Sequence, residues 1–383
     1  MKTTRSVLAN VVQQLRRKSL CRRRKLSSSP RRIIDLRSDT VTLPSPEMIK
    51  YSLNAPLGDD VMGEDPTVQK LQQYVADMLG FEAGLFLPTG TMANLVALTS
   101  HCLYDRAAEV MIGAQSHISL WEGGNAAIVG GIHTRQLPED RETAQISEGD
   151  IRDFFRDDSD DHCSKTVLLC LENTHNMLGG VALPVEYMAG MSSICRELGL
   201  KLHVDGARLA NAAVAQGVSI ASLCAGADSV SLCLSKGLGA PVGSVLVGDN
   251  EFIRLAKRAR KRCGGGMRQA GVVASMGLYA LENNVERLSV DHYFAKQLAA
   301  KLENYGFQIS RAVETNIFYF SLPESVLQSK SEYCKRLEQG YGIKITGGYS
   351  TGGKLFRVVT HLGVSIDDVD YIADSMVKTL LNL

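Results

Sequence analysis

The stretch SLCLSKGLGAPVGSVLVG, Ser231 to Gly248, decides how this chain is read. An apolar run leads into Lys236, a glycine-dense turn follows, and a second apolar run closes the segment. A lysine ammonium loses hydration beside a buried strand, so it seldom stands there without a purpose. The runs on either side, DSVSLCLS (228–235) and GSVLVG (243–248), read as strands covered on both faces. Four earlier runs share that character: GLFL (84–87), VMIG (110–113), VLLCLEN (167–173) and KLHVD (201–205). Helical patterns lie between them, such as TMANLVALTSHC (91–102) and VEYMAGMSSICRELG (185–199). The alternation predicts an α/β architecture with a mainly parallel central sheet.

The pattern shifts after about residue 285. A helix over 285–305, strand-like NIFYFSL (316–322), a helix over 325–339, strand-like KLFRVVTH (354–361) and a closing amphipathic helix over 367–383 predict a smaller α+β domain. The expected organisation is a basic extension (1–32), an N-terminal arm (33–54), a large α/β domain (55–285) and a small C-terminal domain (286–383).

The net charge of +1 conceals an asymmetry. Residues 1–32 carry eleven Lys and Arg and no acid, which leaves 31 basic against 41 acidic residues in the body. A body with that balance does not read as a nucleic-acid binder. The Arg-rich, acid-free extension fits a mitochondrial transit segment; a basic tail or a nuclear signal at Arg22–Lys25 are the alternatives. No apolar run reaches 18 residues, so no membrane-spanning helix is expected, and the protein is expected to be intracellular. The nine cysteines lack CxxC spacing and read as reduced thiols rather than a disulfide or metal framework.

Ligands of open α/β sheets gather beyond the carboxyl ends of the strands. The polar residues there are Lys236, then Asp205 and Arg208 in HVDGAR, Thr89–Thr91 in PTGT, Ser116 and His117, and Glu172, Asn173 and His175. An amine for an aldehyde, a carboxylate for a ring nitrogen and a small-residue turn opening a helix for a phosphate together suit pyridoxal 5'-phosphate (PLP). Taken singly, Lys236 could be a surface lysine, Asp205 a helix cap and Arg208 half of a surface pair. His203 reads as a packing residue, and RLAKRARKR (254–262) as a solvated helix face.

Nine motifs stand in order along the chain: DLRSDTVTLPSPEM (35–48), GDDVMGEDPTV (58–68), LPTGTMANL (87–95), SHI (116–118), ENTHN (172–176), HVDGARL (203–209), CLSKGLGAPVGSVLVG (233–248), GGGMRQAG (264–271) and RVVTH (357–361). Together they resemble the threonine aldolases, PLP enzymes of the aspartate-aminotransferase-like fold (fold type I). The resemblance implies a Schiff-base role for Lys236, a pyridinium partner in Asp205, and Arg208 near the phenolic oxygen. It implies phosphate contacts from Gly90, Thr91 and Arg268, the last across a subunit interface. His117 would stack on the ring and His175 would be a second active-site histidine, both candidates for the catalytic base. Ser38 and Arg357 would clamp the substrate carboxylate. A homotetramer with shared sites and no metal is implied.

Two positions depart from the family's usual pattern. Met62 stands where a tyrosine is frequent and cannot donate its hydrogen bond. Trp121 stands where a smaller aromatic is usual, at a substrate-facing position. The expected reaction is retro-aldol cleavage of L-threonine or L-allo-threonine to glycine and acetaldehyde. The alternatives are an aldolase or lyase for another β-hydroxy-α-amino acid, or a PLP-binding protein with little catalysis.

Overall fold

A computed structural model describes residues 32–105, 107–322, 330–349 and 355–381. The basic extension, Arg32 excepted, and the start of the helix expected over 325–339 lie outside the described residues. The chain divides into two compact units, Asp39–Val290 and Met1–Ser38 with Asp291–Leu383.

In the second of these, the short strand β1 (Ile34–Asp35) pairs in parallel with β11 (Ile343–Lys344). An antiparallel sheet has the order β12 (Thr346–Tyr349), β13 (Leu355–Val359), β10 (Ile317–Ser321) and β9 (Gln308–Ile309). Helices Lys330–Tyr341 and Ile366–Leu381, with most of Leu288–Asn304, complete the unit. Its core holds Phe318, Phe320, Tyr333, Phe356 and Met376, with Phe320 and Phe356 stacked at 5.1 Å. Aromatic faces of this size supply much of the apolar area a small unit can bury.

The larger unit is built on seven strands: β2 (Ala83–Leu87), β3 (Ala108–Gly113), β4 (His133–Leu137), β5 (Lys165–Glu172), β6 (Lys201–Gly206), β7 (Ser229–Cys233) and β8 (Ser244–Gly248). Their order is β2-β8-β7-β6-β5-β3-β4. All neighbours are parallel except β8, which runs antiparallel to both β2 and β7. Alternate residues of one strand join different apolar clusters. Met111 lies in the largest cluster, while Val110 and Ile112 lie in another; Leu169 and Leu171 likewise separate from Leu168 and Cys170. That is the signature of a sheet covered on both faces, and it is why these strands read as continuous apolar runs.

One strand of the large sheet escaped the sequence reading, as did the short strands β1, β9, β11 and β12 of the smaller unit. HTRQL (133–137) forms the edge strand β4, and its side chains are mostly half-exposed, so no apolar run marks it. The basic run is a solvated face at Arg254, Lys257, Arg258, Lys261 and Arg262, and needs correction at Arg260. It lies on the helix Asn250–Arg262, capped by Asp249, whose carboxylate accepts from Phe252 N at 2.6 Å. Arg260 is not solvated: it is 6% exposed, donates to Phe86 O at 2.8 Å and pairs with Asp60 at 2.9 Å. Among the described residues no helix is long and apolar enough to cross a membrane.

Candidate active site

The carboxyl ends of the strands in the larger unit bring several expected residues together. Strand β6 ends at Asp205 and Gly206. Asp205 Oδ1 accepts from Ala207 N at 3.0 Å, in the turn before the helix Leu209–Gln216, whose N-cap is Arg208, so Asp205 is not the helix cap it could have been; Oδ2 lies 2.8 Å from Asn94 Nδ2. After β3, Ser116 caps the short helix His117–Leu120. The His117 backbone N–H donates to Glu172 Oε2, at the end of β5, at 2.5 Å. Its ring Nδ1 lies 2.9 Å from Glu122 Oε1. Trp121 follows that helix and is 50% exposed.

One ligand atom each of His117, Glu122 and Asp205 lie within 4.8 Å of one another. The spacing is that of a metal site, and Asn94 Nδ2 stands 2.8 Å from one oxygen of each carboxylate. The amide, a hydrogen-bond donor, already does the work of holding the two acids together.

Thr89 caps the helix Gly90–His101 by accepting from Met92 N at 3.1 Å. The N–H groups of Gly90 and Thr91 belong to the first turn, where no acceptor exists within the helix and anions are favoured. Lys236 is half-buried three residues beyond β7, and its carbonyl accepts from Gly239 N at 2.9 Å. Two glycines explain the turn. Gly239 has a φ of +85°, and a side chain at Gly243 would bring its Cβ within 2.5 Å of the Phe86 ring.

Arg208 is held from behind. Its Nε and Nη2 donate to Asp39 at 2.8 and 2.6 Å, and the pair is almost wholly buried. Burial works against the guanidinium charge, but Asp39 outweighs it and raises the pKa further. His175 is 1% exposed, with Nε2 2.7 Å from Glu139 Oε1 and Nδ1 without a partner. The other Glu139 oxygen accepts from Gln115 N at 2.7 Å, so His175 braces the segment that carries His117. Arg268 donates to Asp59 at 2.8 Å and its side chain is 62% exposed. Met62, in the turn after Asp59, is 69% exposed.

Arg357 and Ser38 belong to the smaller unit. Arg357 lies in β13, 6% exposed, and donates to the carbonyl of Arg37, next to Ser38, at 2.8 Å. His361 Nε2 donates to Asp35 O at 2.7 Å, which gives that histidine a structural bond.

Charge explains the imidazoles. Burial opposes protonation of His117, but its Glu122 hydrogen bond and the charges of Asp205, Glu122 and Glu172 outweigh it and raise its pKa. Burial also opposes protonation of His175, and Glu172 and Glu139 again raise it. Burial pushes the Glu122 carboxyl up, and Asp205 adds to that, against the hydrogen bonds from His117 and Asn94. His101 and His203 go the other way, lowered by burial to about 3 and about 4. Their folded values lie below the unfolded value of 6.5, so the stability they contribute is full above that pH and is lost as pH falls toward 4. His117 and His175 have the opposite sign: their contribution is full below 6.5 and is lost as pH rises through their folded values. His203→Gln is therefore expected to cut the proton uptake on unfolding between pH 6.5 and 4 by about one proton, read as a shallower slope of urea midpoint against pH. An unchanged slope would mean His203 is not buried as a neutral group.

Sequence reasoning missed Asn94, Glu122, Asp39 and Glu139. Two left a faint signal: an asparagine inside the apolar helix TMANLVAL, and a lone acid in WEGGNAAI.

Residues 35–324 match the beta-eliminating lyase family. The chain is 44% identical over 349 residues to the low specificity L-threonine aldolase of Escherichia coli O157:H7, covering 89% of this chain and 97% of that protein. It is 41% identical over 355 residues to low-specificity L-threonine aldolase 1 of Arabidopsis thaliana, covering 92% and 98%. The solved structure of Leishmania major threonine aldolase superposes with a TM-score of 0.77 at 18% identity, covering 91% of this chain and 99% of that one, and supports the fold type I architecture. With lysine, aspartate, arginine and histidine set at the strand ends of that fold, the chain belongs to the low-specificity L-threonine aldolase family within the beta-eliminating lyases.

Proposed function

We propose that the protein is a PLP-dependent aldehyde-lyase that cleaves L-threonine or L-allo-threonine to glycine and acetaldehyde. The observation that carries this reading is the cluster at the strand ends: Asp205 and His117 close together through Glu122, on the sheet whose β7 leads into Lys236. The donor set suits PLP. Lys236 offers an amine to the aldehyde, Asp205 a carboxylate to the ring nitrogen, and the first-turn N–H groups of Gly90 and Thr91 suit the phosphate. Arg208 Nη1, which Asp39 does not engage, is available to the phenolic oxygen. When bound, PLP supplies an electron sink for the pair released as the substrate Cα–Cβ bond breaks.

The protein's own residues then orient and move protons. Arg357 offers a planar fork to the substrate carboxylate, and Ser38 a hydroxyl; the family resemblance supports both roles. Fixing the carboxylate selects which bond of the α-carbon is aligned for cleavage. His117 Nδ1 is engaged by Glu122, which leaves Nε2 to take the β-hydroxyl proton, directly or through one water. His175, through Glu139, braces the segment that carries that histidine. Trp121, half-exposed, borders the substituent on the β-carbon. Arg268 serves a neighbouring subunit's phosphate, in a homotetramer with shared sites.

The test is acetaldehyde release by the purified full-length chain with PLP, from each diastereomer separately. Release from either supports the reading, and the ratio gives the preference. Bound PLP with silence toward both would shift it to a bulkier β-hydroxy-α-amino acid. Failure to bind PLP would overturn it.

A further inference from the structure

Asn94 lies inside the helix Gly90–His101 at 2% exposure. Asparagine is a poor residue for a helix interior, and a buried amide needs partners. Its Nδ2 stands 2.8 Å from Asp205 Oδ2 and 2.8 Å from Glu122 Oε1. Ionised carboxylate oxygens only accept, so the nitrogen must face them, and this decides which way the amide is turned. Its Oδ1 then accepts from Ser231 Oγ at 3.0 Å and from His203 Nε2 at 3.3 Å.

The rest of the chain follows from the Nε2 tautomer of His203, the one that can donate to Asn94 Oδ1. A neutral His203 with its proton on Nε2 has an acceptor at Nδ1, and Ser229 Oγ donates to it at 2.8 Å. That hydroxyl has spent its only proton, so at 2.8 Å it accepts from His101 Nε2. Every donor points the same way: His101 to Ser229, Ser229 to His203, His203 to Asn94, Asn94 to Asp205. Protonation of His203 would put a second N–H against Ser229 and break the polarity. Burial holds His101 and His203 neutral, and Phe252 stacks on His101 at 4.5 Å.

We infer that Asn94 is a positioning residue for Asp205, and that the one-way chain His101–Ser229–His203 behind it fixes the direction of its amide. One amide also spaces two carboxylates that would otherwise repel: Asp205, the ring-nitrogen partner, and Glu122, which orients His117. The inference rests on the PLP reading of the site.

Asn94→Asp has nearly the same shape and no N–H to give. Cofactor-free full-length protein is titrated with PLP, following the visible absorbance of the bound cofactor, and kcat and KM are measured with threonine. For N94D the PLP Kd is expected to rise about tenfold or more, with a shifted absorbance band. Its kcat is expected to fall about tenfold while KM stays within about threefold. His203→Gln keeps an N–H near the Nε2 position, whereas His203→Asn places its amide near Nδ1. H203Q is expected to bind PLP within about threefold of the parent, and H203N about tenfold more weakly. If the parent protein shows no PLP absorbance, the cofactor reading fails and takes this inference with it. If the parent binds PLP and N94D matches it in Kd, band and kcat, the positioning role is overturned while the cofactor reading stands. If N94D does not fold, equal PLP affinity in H203Q and H203N overturns it.

Discussion

Replacing Lys236 by alanine is expected to abolish acetaldehyde release, by about a thousandfold or more, and to remove the visible absorbance of bound PLP. The argument is positional. Lys236 follows β7 in a turn shaped by Gly239 and Gly243, half-buried rather than solvated. No partner of a structural lysine is needed to explain it if its Nζ is the amine that holds the cofactor's aldehyde. Alanine removes that amine with its methylene stem and leaves the glycines of the turn, so the far-UV circular dichroism is expected to stay unchanged. An unaltered absorbance spectrum in the variant would take Lys236 out of the role. Lost activity with the absorbance retained would move it from cofactor anchoring to proton handling.

The second large effect concerns stability. Asp39→Ala leaves the Arg208 guanidinium buried without its carboxylate. Breaking a buried pair on one side costs about 3–5 kcal/mol. In a domain of this size that corresponds to a fall of roughly 10 °C in Tm. The double variant Asp39→Leu with Arg208→Met is expected to recover much of the loss, because two apolar side chains leave no stranded charge. It is also expected to bind PLP more weakly, since Arg208 is proposed to face the phenolic oxygen. A loss below about 1 kcal/mol in the single variant would show the pair to be solvated and of surface strength.

Both predictions involve residues of quoted motifs, but they were not equally legible. Lys236 announces itself because an ammonium beside an apolar run is costly, and that cost can be read locally. Asp39 stands in DLRSDTVT, where Ser38 drew the attention, and its partner lies 169 residues away. Nothing local tells an aspartate at a turn that its counter-charge comes from the end of β6. The same holds for Arg260, read as one more cation on a solvated face and found buried against Phe86 and Asp60.

The architecture followed from the chain alone, because strands covered on both faces must be apolar throughout and their helices must carry a stripe. Six strands of the large sheet were visible for that reason, and β4 was not, since an edge strand can be polar. The family was likewise legible from nine motifs in order, without any structure. Tertiary structure decided how the polar residues pair. Asn94 bridges Asp205 and Glu122, Glu122 orients His117, Asp39 anchors Arg208, and Glu139 holds His175. Hydrogen bonds and ion pairs act over about 3 Å between groups far apart in the chain. Their donors and acceptors carry no periodicity, so only the folded arrangement tells which of them meet.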